Sequence, residues 1–396
     1  MIRLFFYFCL SLFLAGCMVR PIPVPPPSGP YEALKPVAWQ DVDGWPLDQP
    51  ALALEAFQQS CKAVGKREQW QSVCAEANAL FSHEESTVRG FFETYFQPYL
   101  VQNEDGKSEG LITGYYGPEL AGSRVETEEY QYPIYRQPDD LLIIDLAAVY
   151  PELGQYRLRG RVEGNRVVPY FERSEIDNGQ TPLGGQELLW VKDPVELFFL
   201  HIQGSGQIRL TNGEKVMVNY ANQNGHPYRS IGKLLLERNA MTRDQMSMQN
   251  IRRWVEEHPE AGKQLLAENP SYVFFRELPP EYQSPPGALG VPLTALRSLA
   301  VDPHTIPLGA PVFLATTFPG TDYPLQQLMV AQDTGGAIKG RVRADFFWGM
   351  GDDAGKIAGR MKQDGRLWVL LPKPVDQDDS LQSRTMVPTD KDGEIN

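Results

Sequence analysis

Basic charge, histidine and cysteine are all scarce in this chain of 396 residues, and each shortage argues against a class of function. Only 37 Lys and Arg stand against 50 Asp and Glu, a net charge of −13. Nucleic-acid phosphates demand a basic surface, so a nucleic-acid partner is not expected. A polybasic membrane patch is disfavoured for the same reason. The four cysteines and five histidines form no group at metal-ligand spacing, which argues against zinc. Beyond residue 14 no apolar run approaches the roughly 20 residues that a membrane-crossing helix needs. No internal repeat is evident.

The N-terminus is built differently. Met1-Ile2-Arg3 leads into residues 4–14, which have almost no polarity, and then Leu14-Ala15-Gly16-Cys17. One cation, an apolar core of about ten residues and small residues before a cysteine describe a secretory signal peptide over residues 1–16. The small pair before Cys17 resembles the lipobox of bacterial lipoproteins, which implies that Cys17 is the lipidated first residue of the mature chain. An ordinary signal peptide with a chance cysteine is the alternative. Met18 stands where such lipoproteins often carry the Asp of inner-membrane retention, so the expected location is the outer membrane, facing the periplasm. Cleavage removes Arg3 and no acid, which leaves the acyl chains as the membrane anchor.

With Cys9 in the signal and Cys17 lipidated, Cys61 and Cys74 remain as an even pair in an oxidising compartment. A disulfide is expected, worth about 3 kcal/mol by the chain-entropy model; two buried thiols are the alternative. The stretch 17–38 carries Pro21, Pro23, Pro25, Pro26, Pro27, Pro30 and Pro36 and reads as a semi-rigid tether. Residues 376–396 are acidic and polar and read as a disordered tail. The length of the mature chain suggests two domains.

Three helices are expected after the tether. Asp48 and Pro50 open the first, striped by Ala53, Phe57, Cys61 and Val64. Trp70, Val73, Cys74, Ala77 and Leu80 stripe the second. Ser86 caps the third, whose Val88, Phe91, Phe92, Tyr95 and Phe96 are read as core. From 110 to 223 short strands follow, at Leu111–Tyr116, Val167–Phe171, Leu188–Val191, Leu197–Gln203, Gln207–Leu210 and Lys215–Asn219, the pattern of a barrel-like β domain. Helices return near Ile231–Arg238 and Arg243–His258. A second strand-rich block runs from Tyr272 to Leu371, with a short helix near Asp353–Met361.

The densest chemistry lies between Gln332 and Gly355. Leu328–Ala331 reads as a buried strand that ends at Asp333, followed by Thr334-Gly335-Gly336. Asp345 lies twelve residues on, beside Phe346, Phe347 and Trp348, and Asp352-Asp353 opens a helix. Strand-end acids among apolar neighbours acquire raised pKa values, because burial and nearby carboxylates disfavour the charged form. A carboxylic acid protonated near neutral pH is what glycosidic-bond cleavage requires, since the departing sugar oxygen must be protonated. Each acid has a plainer role open to it. Asp333 can close an Asx-turn on Gly335 N–H, Asp352 or Asp353 can cap the helix, and Asp345 can be a solvated loop acid. An aspartic protease needs a second Asp-Thr-Gly or Asp-Ser-Gly loop, and none is present. A divalent cation held by the three acids fits no calcium-loop spacing.

Six motifs in order carry a family resemblance. They are Thr113-Gly114-Tyr115-Tyr116, Phe198–Gly206 and Asn222–Tyr228, then Val291-Pro292-Leu293-Thr294 with Arg297–Asp302, Ile306-Pro307-Leu308-Gly309, and the acid block. Over nearly the whole mature chain it resembles the membrane-bound lytic murein transglycosylase A family. The resemblance implies a mainly β protein with helices: N-terminal helices, and a double-psi β-barrel formed by both ends of the chain (39–125 and 270–375). A second, barrel-like β domain is inserted at 126–269, and a glycan lies in the groove between the two. It implies Asp345 as the catalytic acid with Asp333 as near neighbour, and the third acid at Asp353. Tyr115, Tyr116, Gln203 and Ser205 are expected to face the groove. The implied partner is peptidoglycan, and the implied reaction is non-hydrolytic cleavage between N-acetylmuramic acid and N-acetylglucosamine, without metal or cofactor. A muramidase that hydrolyses the same bond, or an inactive peptidoglycan-binding lipoprotein, would share these features. The chain departs from the family pattern at Gly117, where Glu is common, and at Leu296, where glycine is usual.

Overall fold

A computed structural model describes residues 33–374 apart from residue 244. The expected signal peptide, the lipidated Cys17, most of the tether and the tail 376–396 lie outside the described residues. At the far end of the expected tether, Leu34–Pro36 is already a strand, antiparallel to Tyr99–Val101.

The three N-terminal helices form where the apolar spacing places them. Ala51–Val64 buries Ala53, Phe57, Cys61 and Val64. Glu68–Ala79 buries Trp70, Val73, Cys74 and Ala77, and a disulfide joins Cys61 to Cys74. Glu85–Tyr95 follows, and Phe96 belongs to the next strand, Phe96–Val101. Phe57, Trp70, Phe91, Phe92 and Phe96 pack as one aromatic cluster, so they are core. Two expected caps are absent. The Ser86 hydroxyl donates to Glu84, and the Asp48 carboxylate leaves its own helix to accept Leu328 N–H at 2.7 Å, with Arg297 at 3.8 Å. That acid ties the helical layer to the barrel instead of opening a helix.

The barrel closes because one strand is long enough to pair three ways. Lys362–Pro372 runs antiparallel to Gly110–Gly117 at its start, to Pro311–Thr317 in its middle and to Phe96–Val101 at its end. From Pro311–Thr317 the ring continues through Pro324–Asp333, Ser298–Val301 and Arg343–Met350 back to Gly110–Gly117. Two of its pairings are parallel, Ser298–Val301 with Pro324–Asp333 and Arg343–Met350 with Gly110–Gly117. This six-stranded ring, drawn from both ends of the chain, is a double-psi β-barrel.

A second sheet begins at Glu119 and ends at Glu277, slightly outside 126–269. Its six strands run in the order Val273–Glu277, Lys215–Gln223, Ser205–Leu210, Glu119–Ser123, Glu187–Val191 and Tyr132–Tyr135. A bridge from Arg136 to Phe275 brings its two edges together, which makes the sheet barrel-like. Leu142–Ile143, Arg159–Glu163 and Arg166–Pro169 form a small sheet beside it.

The expected strand Leu197–Gln203 is instead a helix, Pro194–Gln203. Asp193 caps it by accepting Val195 and Glu196 N–H, Pro194 pre-sets its first turn, and Gly204 (φ +76°) ends it. Leu197 and Leu200 enter the core of the second sheet, while Val195 and Phe198 pack on the helices Ile231–Glu237, Met248–Glu257 and Pro259–Ala267. A helix buried on two sides loses its polar stripe, and a short continuous apolar run then reads equally well as a buried strand. Pro259–Ala267 is a helix that the sequence periodicity does not mark, and Met248–Glu257 starts at the Ser247 cap, later than Arg243.

Candidate active site

Alternation along Arg343–Met350 decides which side chains meet. Ala344 and Phe346 belong to the barrel core, so Asp345 and Phe347 point outward. On the parallel neighbour Ile112 points inward, and Thr113 and Tyr115 point outward. Register sets Asp345 beside Thr113 and Phe347 beside Tyr115, whose rings lie 5.1 Å apart. On the other side Ala300 registers with both Asp345 and Asp333, so the two acids flank a single residue. With neighbouring strands about 4.8 Å apart, their backbones are separated by about 10 Å.

Their surroundings differ. Thr113 Oγ1 donates to Asp345 Oδ1 at 2.6 Å, and Arg343 Nη2 donates to Thr113 Oγ1 at 2.9 Å. Burial pushes the Asp345 carboxyl above the usual carboxylate range, and the Thr113 bond and the Arg343 charge draw it part of the way back. Asp333 Oδ1 accepts Ala288 N–H at 2.8 Å and Thr334 N–H at 2.9 Å. The Asx-turn on Gly335 is therefore not made. Burial pushes Asp333 up to about 6 against those two bonds and the pull of Tyr115, with a small further push from Asp345. The Tyr115 hydroxyl is buried and makes no hydrogen bond of good geometry, yet Asp333 and Asp345 lie close enough to oppose its ionisation.

A buried polar chain holds the Asp333 strand in place. Ser298 Oγ donates to Gln332 Oε1, and Gln332 Nε2 donates to Ala56 O and Ser60 Oγ of the first helix. The helical layer thus braces the strand one residue before the acid.

The remaining expected site residues are distributed unevenly. Tyr116 points away from the acids: its ring is buried against Ala354 and Ala358, and its hydroxyl donates to Met248 Sδ at 3.1 Å. Gln203 Oε1 accepts Tyr116 N–H at 3.3 Å, which fastens the end of the capped helix to the barrel strand. Ser205, half-buried, opens the strand beside it and registers with Asn219. Asp353 is not brought to the acid pair. Its side chain is 95% exposed in the first turn of Gly351–Ala358, where an ion pair to Lys356 at 2.7 Å holds its carboxyl below the usual range. Met350, not either acid, occupies the cap position. Thr113, Arg343 and Ala288 were not singled out by sequence reasoning. The i, i+2 spacing of Thr113 with Tyr115 and of Arg343 with Asp345 was visible, but not that the two strands pair. Among the described residues no three His, Cys, Asp or Glu side chains gather as a metal site.

Of the two departures from the family pattern, the one at Gly117 has a local counterpart, and nothing in the structure explains the leucine at 296. A β-carbon at Gly117 would meet Met350 Sδ at 2.2 Å, so Met350 fills the space that a larger residue would need. Leu296 adopts φ +63°, the left-handed region where glycine is normally preferred.

Half-buried carboxyl groups of raised proton affinity stand beside a hydroxyl and aromatic rings on the outer wall of a double-psi barrel, an arrangement of the kind that enzymes use to give and take protons. The chain matches the MltA specific insert domain over residues 111–276 and the 3D domain over residues 297–371. It is 34% identical over 288 residues to membrane-bound lytic murein transglycosylase A of Escherichia coli (strain K12), covering 70% of this chain and 69% of that one. Crystal structures of MltA from Neisseria gonorrhoeae (38% identity, TM-score 0.77, 87% of this chain and 93% of that one) and of E. coli MltA with bound chitohexaose (29%, 0.63, 86% and 92%) share the fold. The chain belongs to the membrane-bound lytic murein transglycosylase A family.

Proposed function

We propose that this protein cleaves the β-1,4 bond between N-acetylmuramic acid and N-acetylglucosamine in peptidoglycan without water, leaving 1,6-anhydromuramic ends. The observation that carries this reading is Asp345, a carboxyl of raised proton affinity that faces outward from the barrel beside Tyr115 and Phe347. The E. coli relative with bound chitohexaose supports a glycan ligand. The glycan lies in the groove between the barrel (39–125 and 270–375) and the inserted domain (126–269), with Tyr115 and Ser205 toward it. Tyr116 and Gln203 act one step back, by holding the two domains together.

Asp345 donates its proton to the glycosidic oxygen, and the bond to the muramic anomeric carbon breaks. The same carboxylate then takes the proton of the muramic C6 hydroxyl as that oxygen attacks the anomeric carbon. One proton leaves and one returns, so the enzyme ends as it began. An internal nucleophile gains the effective-molarity advantage of a held group and needs no second carboxylate to activate water. Burial raises the proton affinity of Asp333 as well, but both backbone N–H groups at its Oδ1 favour its charged form in place. We assign it to electrostatic support of the positive charge that develops on the sugar. Asp353 takes no part in proton transfer.

Cys17 carries lipid, and the enzyme sits on the outer membrane facing the periplasm; among the described residues no helix is long and apolar enough to cross a membrane. The test is mass spectrometry of purified sacculi digested by wild type and Asp345→Asn. Anhydro-muropeptides from the wild type and none from the variant are expected, with sacculus binding retained. Reducing muramic ends would identify a hydrolase instead, and appreciable lysis by Asp345→Asn would remove Asp345 from the mechanism.

A further inference from the structure

Thr113 Oγ1 has one hydrogen and two lone pairs, and its two partners leave no choice in how they are used. A guanidinium can only donate, so the Arg343 Nη2 bond at 2.9 Å takes a lone pair. The hydroxyl hydrogen is then free to point along the 2.6 Å contact to Asp345 Oδ1. Arg343 is itself held by carbonyls, with Nη1 2.5 Å from Ala344 O and 3.4 Å from Leu111 O, so its fork straddles both strands of the parallel pair. An oxygen that receives a hydroxyl hydrogen is a poor place for a second proton. A proton on Oδ1 would turn the Thr113 hydrogen away with no acceptor assigned to it. Oδ2, which makes no hydrogen bond among the described residues, has no such conflict.

We propose that Arg343 is a positioning residue that acts through Thr113, committing the Thr113 hydroxyl to Asp345 Oδ1 and thereby selecting Oδ2 as the oxygen that delivers and retrieves the proton. This rests on the assignment of Asp345 as acid and base. The geometry fits the alternation of the two strands. Arg343 and Asp345 share the outward face of one strand, and Thr113 lies opposite Asp345 on the next, so the three groups form a short relay on one wall. The charged and titratable groups that face Asp345 are Arg343 on its own strand, Tyr115 on the neighbouring strand and Asp333 across Ala300. Of these, Arg343 alone also touches the hydroxyl that orients the carboxyl. Its part therefore differs from that of a counter-charge: loss of Arg343 frees the Thr113 rotor, and loss of Thr113 makes the Arg343 bond irrelevant.

A double-mutant cycle read as kcat and KM on sacculi across pH tests this. Arg343→Met and Thr113→Val are each expected to lower kcat about tenfold, the effect of one hydrogen bond to a charged group, with KM nearly unchanged. The double variant should lose no more than either single one, because the two residues act in series. Thr113→Ser keeps the hydroxyl and should recover most of the loss. In both single variants the alkaline limb of the pH profile should move upward, since a hydrogen bond or a charge that favoured the carboxylate is gone. Arg343→Lys replaces Arg343→Met in the cycle should the latter fail to fold. It keeps the charge but not the planar fork, so it should share the kcat loss. Additive losses in the cycle, or a Thr113→Val enzyme with wild-type kcat and pH profile, would overturn the proposal. Lysis by Asp345→Asn would instead remove the mechanism on which it rests, so the two failures are distinguishable.

Discussion

Asp333 and Asp345 flank one residue, Ala300, which registers with Asp333 on its parallel side and with Asp345 on its antiparallel side. The acids are thus neighbours once removed. Their mutual repulsion is a minor influence, and the burial of each governs its own proton affinity. Two carboxyl groups with separate surroundings can hold separate roles, as acid–base pairs in enzymes generally do.

Asp333 carries a prediction about stability. Its folded pKa of about 6 lies above the unfolded value, so the folded state binds the proton more tightly. The stability it contributes is fully present below about pH 4 and is lost as pH rises through about 6. Asp333→Asn removes this titration and should be the more stable protein above pH 6, by on the order of 2 kcal/mol, if the amide keeps the Ala288 and Thr334 bonds. Urea unfolding at pH 4.5 and pH 8 measures it, and an identical stability difference at both pH values would contradict the assignment.

Leu296 sits at φ +63° and is 45% exposed, so little burial offsets its backbone strain. Leu296→Gly should raise stability by about 1 kcal/mol through relief of that strain. A lower denaturation midpoint for this variant would count against it.

A side chain at Gly117 must push the Met350 thioether aside. Gly117→Glu is expected to destabilise by about 1–3 kcal/mol through overpacking, and Met350→Ala in the same chain should restore part of that loss. Equal melting temperatures for Gly117→Glu and wild type would show that the Met350 side chain moves aside freely.

The Cys61–Cys74 disulfide should survive purification, so alkylation without reduction should label neither thiol in an intact-mass measurement. Replacing both cysteines by alanine should cost about 3 kcal/mol in unfolding free energy, the chain-entropy value for a loop of this length. Two labelled thiols in the unreduced protein would exclude the bond.

Much of the architecture was legible in local pattern. The stripes of Ala53, Phe57, Cys61 and Val64 and of Trp70, Val73, Cys74 and Ala77 have the 3.6 period of one-sided helices, and those helices are present. The run Leu328–Ala331, ending at an acid and two glycines, marked the Asp333 strand, and Phe346, Phe347 and Trp348 marked Asp345 as a half-buried acid. Local pattern failed where a segment is buried on two faces. Pro194–Gln203 packs into two separate apolar cores, so its apolar residues occupy two faces and no single helical stripe remains. It failed also at Asp353, where a cluster of acids in the sequence is separated in space by the turn of a helix into solvent.

The chain by itself determined the one-sided helices of the N-terminal layer and which acids lie among apolar neighbours, because both are set by side-chain periodicity within a few residues. Only the tertiary structure decided that Thr113 reaches Asp345 across 232 positions of sequence. It likewise set both aspartates beside Ala300 and turned Tyr116 away from them. Those relations depend on strand register in a closed barrel. A shift of one residue would turn every side chain to the opposite face, and no local pattern in either strand records which partner it will meet.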